Sequence, residues 1–497
     1  MSLLGIDVGT SGCKAAVIGN DGTVLASSAV SYSPIVMGSQ VELSPAVVWN
    51  SAKRAIANAA VPGIIAISVA SLGETVIPLD KGGNALADAI LYSDPRGTEE
   101  TVFLEGQLSF DKIVSVTGLA PNPMYSAGKI LWLKRNRPEI YQKTWKFLLF
   151  ADYILFRLGA EPHTDYTLAA RTMAFDIFQK RWSSEILYAA GIDGGKFTEP
   201  VCSGTVVGKI SQSVAAELGL PADTLLVAGG HDQACAALGT GVLEAGTAAD
   251  TAGTTECVTM VCNPAAAREM APDNYACAPH VVEGKYVTYA FNLSCGSLLA
   301  WYAEQYGKLF ETETDAQRRD IYEVLLSYSE GEPSDVFVLP HFSGSGTPSV
   351  NNQARGAIAG LSLNTTPKVI LKGLLDGLNY EILFNIEKLE QYQIKADCFR
   401  VAGGLAKSEA FLRLKADVLG KPVTAMPSSE AGILGAAMLA GTAAGTYPSL
   451  EAAAEALLQT GKTFAPDMGK HALYAERFRK YKRLYGAALS AKESGMP

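Results

Sequence analysis

From Leu3 to Val8 the chain is apolar around one charge, Asp7, and after a turn a second run, Lys14 to Ile18, leads into Gly19-Asn20-Asp21-Gly22 and a third run, Thr23 to Ala26. Asp-Gly between β-rich runs predicts a hairpin. Ser44-Pro45 then offers an N-cap and a proline at the first helical position, and Val48, Ala52, Ile56 and Ala59 follow at helical spacing. Pro62-Gly63 ends that helix, and Ile64 to Val69 reads as a buried strand. A hairpin, a helix and a further strand predict an α/β layout with a mixed sheet.

The opening pattern returns in the second half. Asp7-Val8-Gly9-Thr10-Ser11 is echoed by Asp250-Thr251-Ala252-Gly253-Thr254-Thr255, with Gly9 on Gly253 and Thr10 on Thr254, and a strand-like Cys257–Val261 follows as Lys14 to Ile18 did. The echo predicts two related α/β domains with a boundary near residue 245, in the Gly-rich segment Gly239 to Gly246. Near the end, Phe399–Ala402 predicts a strand, Gly403-Gly404 a turn, and Phe411, Leu414 and Val418 one face of a helix that starts near Ser408 and stops at Gly420. Pro422-Val423 opens another strand, and Ser428-Ser429-Glu430 opens an Ala-rich helix through Met438 whose small residues permit close packing on a sheet.

Composition narrows the class. The chain has 497 residues, 48% hydrophobic and 18% charged, with 41 basic and 50 acidic residues and a net charge of −9. That balance, without a basic run, argues against nucleic acid as a partner. The N-terminus reaches Asp7 before an apolar signal segment could form, and no stretch approaches the roughly 18 apolar residues of a membrane span, so a cytoplasmic protein without a membrane partner is expected. Eight scattered cysteines with no C-x-x-C pair read as buried thiols.

Two segments carry candidate chemistry. In Asp7-Val8-Gly9-Thr10-Ser11-Gly12, the glycines let backbone N–H groups converge and Thr10 and Ser11 add hydroxyls, a nest suited to phosphate. Asp7 could face that anion only across a cation, for which Mg2+ is the natural choice; the alternative is an ordinary tight hairpin. In Gly229-Gly230-His231-Asp232-Gln233, the glycines read as a turn after the strand Leu225–Ala228, and Asp232 falls where a strand ends and a helix begins. There it could take a proton from a substrate hydroxyl or merely cap the helix. Gly461-Lys462-Thr463 is no P-loop, because Ala456 stands at the place of its first glycine. No kinase H-R-D loop, no G-x-G-x-x-G after a strand and no H-E-x-x-H pair occurs.

Met124-Tyr125-Ser126-Ala127-Gly128-Lys129-Ile130-Leu131-Trp132-Leu133-Lys134-Arg135-Asn136 resembles, position by position, the first signature of the FGGY carbohydrate kinases. Asp7-x-Gly9-Thr10, Asp94-x-Arg96, Gly229-Gly230-x-Asp232, Gly253-Thr254-Thr255, Thr347-Pro348 with Arg355-Gly356, and Gly403-Gly404-x-Ala406-Lys407-Ser408 look like further landmarks, in order. The second signature agrees at Gly356, Ile358, Gly360, Leu361 and Asp376 but departs at Val369 and Gly373. Ile130, Trp132 and Leu133 of the first signature look like one apolar, core-facing helix side.

The resemblance implies two actin-like, ribonuclease-H-like α/β domains around a central cleft, related by duplication: residues 1–245 sugar-binding and catalytic, residues 246–497 nucleotide-binding. It implies Asp232 as general base and Asp7 as a holder of Mg2+, largely through water, with Asp232 near the same ion. Glu74, Asp232 and Gln233 would contact the sugar. Gly9, Thr10 and Ser11, with Gly253, Thr254 and Thr255, would cradle the phosphates of ATP, and Gly403, Gly404 and Ala406 would border the adenosine. The expected reaction is transfer of the γ-phosphate of ATP to a small sugar or polyol, in a protein that could be a homodimer. The sugar-contact loop holds Gly73-Glu74-Thr75, where xylulose kinases usually carry Met-His and glycerol kinases Arg-Glu-Thr, and Met124 stands where glycerol kinases have tyrosine. Length and the Thr164-Asp165 to Phe175-Asp176 segment look closer to xylulose-type enzymes, so a ketopentose such as xylulose is expected first. Glycerol, another polyol or another ketose are the alternatives, and an actin-like ATPase without a sugar substrate is the more distant one.

Overall fold

The computed structural model describes residues 1–317, 320–427 and 430–493. Two mixed sheets organise it. The first has the strand order Val206–Lys209, Leu225–His231, Ile64–Ser71, Ser2–Val8, Gly12–Gly19, Val24–Ser31. Ser2–Val8 runs antiparallel to Gly12–Gly19 and parallel to Ile64–Ser71, which is parallel to Leu225–His231. The second sheet repeats this plan. Its central strand Gly246–Ala252 is antiparallel to Glu256–Cys262 and parallel to Ala396–Ala402, with Tyr286–Asn292 beyond the hairpin and Val423–Ala425 beyond the parallel strand.

The period-2 alternation of the opening strand serves two cores. Leu4, Ile6 and Val8 join Val48, Ala52, Ile56 and Ala59 of the Pro45–Ala59 helix in one cluster. Leu3 faces the other way, into a cluster with Ile433, Leu434, Ala437 and Met438. A strand buried on both faces reads as a continuous apolar run, which is why its pattern shows no polar alternation. Ser44 precedes the Pro45–Ala59 helix as expected, but its side chain makes no capping bond.

The Ala-rich helix spans Ala431–Ala443, and the predicted opening at Ser428-Ser429 lies outside the described residues. Although late in the chain, it packs on the first sheet and on the Asp232–Gly239 helix. Contact is backbone to backbone: a Cβ on Gly435 would lie 1.9 Å from the carbonyl oxygen of Cys235, one on Gly239 1.9 Å from that of Ala431, and one on Gly5 2.3 Å from that of Ile433. Small residues therefore let this helix tie the two halves together. The Glu409–Leu419 helix begins, as predicted, beside Ser408, whose Oγ accepts the Phe411 N–H at 3.3 Å, and it stops at left-handed Gly420.

Candidate active site

Both hairpins carry the turns singled out by the repeat. In the first, the Gly9 N–H donates to the Gly12 carbonyl at 2.9 Å; in the second, the Gly253 N–H donates to the Thr255 carbonyl at 2.9 Å. The first turn is held from outside by Tyr32, whose hydroxyl donates to the Gly9 carbonyl at 2.6 Å. The second rests on the start of the Gly296–Tyr306 helix, where the Gly296 N–H donates to the Gly253 carbonyl at 2.9 Å. Ser11, Thr254 and Thr255 are exposed, and Gly9 and Thr10 are half-buried. Beneath the second hairpin, fully buried Lys415 bridges Asp250 and Glu256, bracing the two strands that present the turn. Both carboxylates hold the Lys415 ammonium in its charged form.

Gly253, Thr254 and Gly404 line a cavity of about 1400 Å3 that also borders Ser297, Trp301 and Tyr322. Gly403 adopts φ 101°, which glycine favours, and a Cβ there would lie 2.4 Å from the Ala252 carbonyl. Ala406 is buried and does not line the cavity, although its neighbours Leu405 and Lys407 do.

The first half brings three carboxylates together. Asp7 is the last but one residue of the Ser2–Val8 strand, opposite Lys14 in the hairpin, and a Cβ on Gly432 would sit 3.5 Å from its Oδ2 and 3.8 Å from the Asp232 carbonyl oxygen. Burial and the charge of Glu430 raise the Asp7 carboxyl to about 6. Asp232 is raised to about 7 by burial and by the charges of Asp7 and Glu74, against a lowering pull from the Gln233 N–H, which donates to Oδ1 at 2.6 Å, and from Arg171. The cap of the Asp232–Gly239 helix is His231; Asp232 is its first helical residue, with a side chain 29% exposed. Asp232 thus meets a first-turn N–H, that of Gln233, without occupying the cap position itself.

Gly229 and Gly230 do not form the predicted turn. They lie within the Leu225–His231 strand, where a Cβ on Gly229 would meet the Val69 carbonyl at 1.9 Å and one on Gly230 the Thr167 Oγ1 at 2.8 Å. Their smallness serves close strand packing rather than ligand approach. Gln233 reaches across to the second half, its Oε1 accepting the Thr251 hydroxyl at 3.1 Å.

Several residues of the site escaped sequence reasoning. His231 Nε2 lies 3.3 Å from Asp232 Oδ1, and burial with the neighbouring Arg171 charge holds the ring neutral. The His231 N–H donates to Thr167 Oγ1 at 2.7 Å, and that hydroxyl donates in turn to Asp165, which caps the Tyr166–Ala170 helix. Glu74 is buried and ion-paired with Arg171, the residue just after that helix. Tyr125 and, from the second half, Tyr289 pack over the Arg171 guanidinium at 5.1 and 5.7 Å. The first-signature helix Ser126–Asn136 supports this loop directly. Ser126 Oγ donates to the Glu74 carbonyl at 2.5 Å, and buried Lys129 donates to the carbonyls of Asp94 at 2.8 Å and Arg96 at 3.2 Å. Ile130 and Leu133 are core, as expected, while Trp132 is only partly buried.

Two repeated strand-turn-strand hairpins, one beside a carboxylate cluster and the other lining a cavity, have a counterpart in known proteins. The N-terminal domain of the FGGY family of carbohydrate kinases matches residues 2–239, and its C-terminal domain matches residues 248–444. The chain belongs to this family. The xylulose kinase of Bacillus subtilis is 27% identical over 497 aligned residues, covering 97% of this chain and 96% of the relative. Two solved structures from Lactobacillus acidophilus, a ligand-bound xylulose kinase and a gluconate kinase, superpose with a TM-score of 0.88 each at 22% and 23% identity, covering 99% of both chains. As an FGGY carbohydrate kinase, the chain transfers a phosphoryl group from ATP to a carbohydrate, and its paired sheets are the two actin-like, ribonuclease-H-like α/β units of that family. No helix among the described residues is long and apolar enough to cross a membrane.

Proposed function

We propose that this kinase phosphorylates a hydroxyl of a ketopentose such as xylulose, with residues 1–245 binding the sugar and residues 246–497 the nucleotide. The observation that carries the reading is Asp232, a carboxylate at the head of a helix, raised to about 7 beside Asp7 and Glu74. A base poised near neutral pH is suited to take a proton from an alcohol at the moment of transfer. The acceptor O–H gives its proton to Asp232 Oδ, the oxygen bonds to the γ-phosphorus, and the bond to the β,γ-bridging oxygen breaks, releasing ADP. With the Gly9 and Gly253 N–H groups closing their own turns, the N–H and hydroxyl groups of Thr10 and Ser11 and of Thr254 and Thr255 receive the phosphate oxygens, so the chemistry rests on positioning and charge more than on covalent help. The Gln233 N–H orients the Asp232 carboxylate, neutral His231 lies beside it, and apposition of the two halves excludes water from the phosphate.

The Asp7 and Asp232 carboxyls, each raised by burial and, for Asp232, by the charge of Asp7, form a donor set suited to a magnesium ion. Held there largely through water, the ion would neutralise charge on the transferring phosphate. The similarity to proteins named xylulose kinase supports the ketopentose as acceptor. A panel of ketopentoses, ketohexoses, glycerol, tetritols and aldonates, assayed by coupled ADP release, tests this; the highest kcat/KM for a ketopentose is expected, and a dominant response to glycerol would overturn the sugar assignment.

A further inference from the structure

The loop Gly73-Glu74-Thr75 has no arginine of its own, yet the structure puts a guanidinium there. A Cβ on Gly73 would lie 3.0 Å from Arg171 Cγ and 3.0 Å from His231 Cδ2, so the space a side chain at 73 would take is already filled. Arg171 arrives from the end of the Tyr166–Ala170 helix, 97 residues along the chain from the carboxylate it pairs with. Its Nε donates to Glu74 Oε1 at 2.5 Å and its Nη2 pairs with the same oxygen. Among the described residues nothing donates a hydrogen bond to Glu74 Oε2. The Tyr125 and Tyr289 rings restrict the guanidinium. The Glu74 backbone is held at φ 60°, which a non-glycine residue adopts only under constraint, by Ser126 as well as by this pair.

Around the pair, the acceptor side carries Asp7, Asp232 and Glu74 against one buried guanidinium, and Lys14 is drawn off to Glu430 at 2.9 Å. A carboxylate on a substrate would need the Arg171 guanidinium as its partner, and that guanidinium is buried and committed to Glu74.

We propose that Arg171 is a specificity-determining residue that fixes Glu74 as a hydrogen-bond acceptor for neutral polyhydroxylated substrates and, while so engaged, excludes acidic sugars. Arg171 acts through Glu74 and is a positioning residue. The proposal rests on the reading of Glu74 and Asp232 as the acceptor side of the cleft.

The test compares kcat/KM for D-xylulose and D-gluconate in the wild type, Glu74→Gln, Arg171→Gln, the double variant and Gly73→Ala, with the KM for ATP and the melting temperature of each. Losing a charge-assisted hydrogen bond at Glu74→Gln should raise the KM for xylulose by about tenfold or more with the KM for ATP unchanged. Freed from its partner, Arg171 should then shift preference towards gluconate by about tenfold, a gain absent from Arg171→Gln and from the double variant. Gly73→Ala, a milder change whose Cβ crowds Arg171 and His231, should raise the KM for the sugar alone. An unchanged xylulose-to-gluconate ratio in Glu74→Gln, an equal gluconate gain in the double variant, or an unchanged sugar KM in folded Gly73→Ala would each overturn the proposal. Absence of sugar-dependent ADP release by the wild type with every acceptor would instead overturn the reading on which it rests.

Discussion

Replacing Asp232 by Asn separates what this carboxylate does for catalysis from what it costs the fold. Asn keeps the shape and the possibility of accepting the Gln233 N–H but carries no charge and takes no proton. A carboxyl lifted from 3.8 to about 7 is destabilising when ionised, by about 4 kcal/mol at ~1.4 kcal/mol per pH unit. The side chain is 29% exposed, and solvent screening reduces the expected figure to about 2 kcal/mol. The sign follows from linkage: the folded pKa is above the unfolded one, so the cost is absent below about pH 4, grows between about 4 and 7, and is complete above 7. Asp232→Asn should therefore be more stable than the wild type by about 2 kcal/mol at pH 8, with the gain shrinking towards pH 5. Denaturant unfolding without nucleotide or divalent ions measures this, and coupled ADP release with the best sugar should show kcat reduced by about 100-fold or more. A stability difference that does not vary with pH would refute the electrostatic argument, and near-normal turnover would refute the base.

Asp7→Asn should lose most of kcat while sugar binding, followed by calorimetry, survives; a near-normal kcat would return the Gly9–Ser11 turn to a plain hairpin. The acid limb of the wild-type kcat/KM profile should reflect the Asp7 and Asp232 carboxyls as a coupled pair, and a replacement of Asp7 that retains measurable turnover should move the limb to lower pH, because the charge that raises Asp232 is gone. Lys415→Met should cost about 4 kcal/mol near pH 8 by leaving Asp250 and Glu256 buried without their cation, and less as the pH falls and a carboxyl is protonated, measured by denaturant unfolding. Gly435→Val, which drives a side chain into the Cys235 carbonyl, should destabilise the protein by about 3 kcal/mol in the same measurement.

What could be read from the sequence was local. The Asp7–Gly12 and Gly253–Thr255 turns lie between β-rich runs, and their repeat exposed the duplicated sheets because strand, turn and strand are contiguous in sequence. The Phe411, Leu414 and Val418 face was equally legible, since helical periodicity is a short-range signal. Gly229-Gly230 was misread because a glycine required by an adjacent strand looks the same as one required by a turn; only the Val69 carbonyl, distant in sequence, distinguishes them. Arg171 and Tyr289 gave no signal, since one ends a short helix and the other belongs to a strand of the second sheet, and only the fold carries them to Glu74. The Ala431–Ala443 helix is apolar all round, so its packing on the first sheet could not be inferred from a polar face.

The central claim is transfer of phosphate from ATP to a sugar hydroxyl with Asp232 as base, and it is tested most directly by following ATP, ADP and sugar phosphate together by phosphorus NMR, with and without D-xylulose, in the wild type and Asp232→Asn. The account predicts one sugar phosphate formed per ADP in the wild type, little ADP and inorganic phosphate without sugar, and neither product at a comparable rate in the variant. Fast release of inorganic phosphate that is indifferent to the sugar would contradict it and favour an actin-like ATPase.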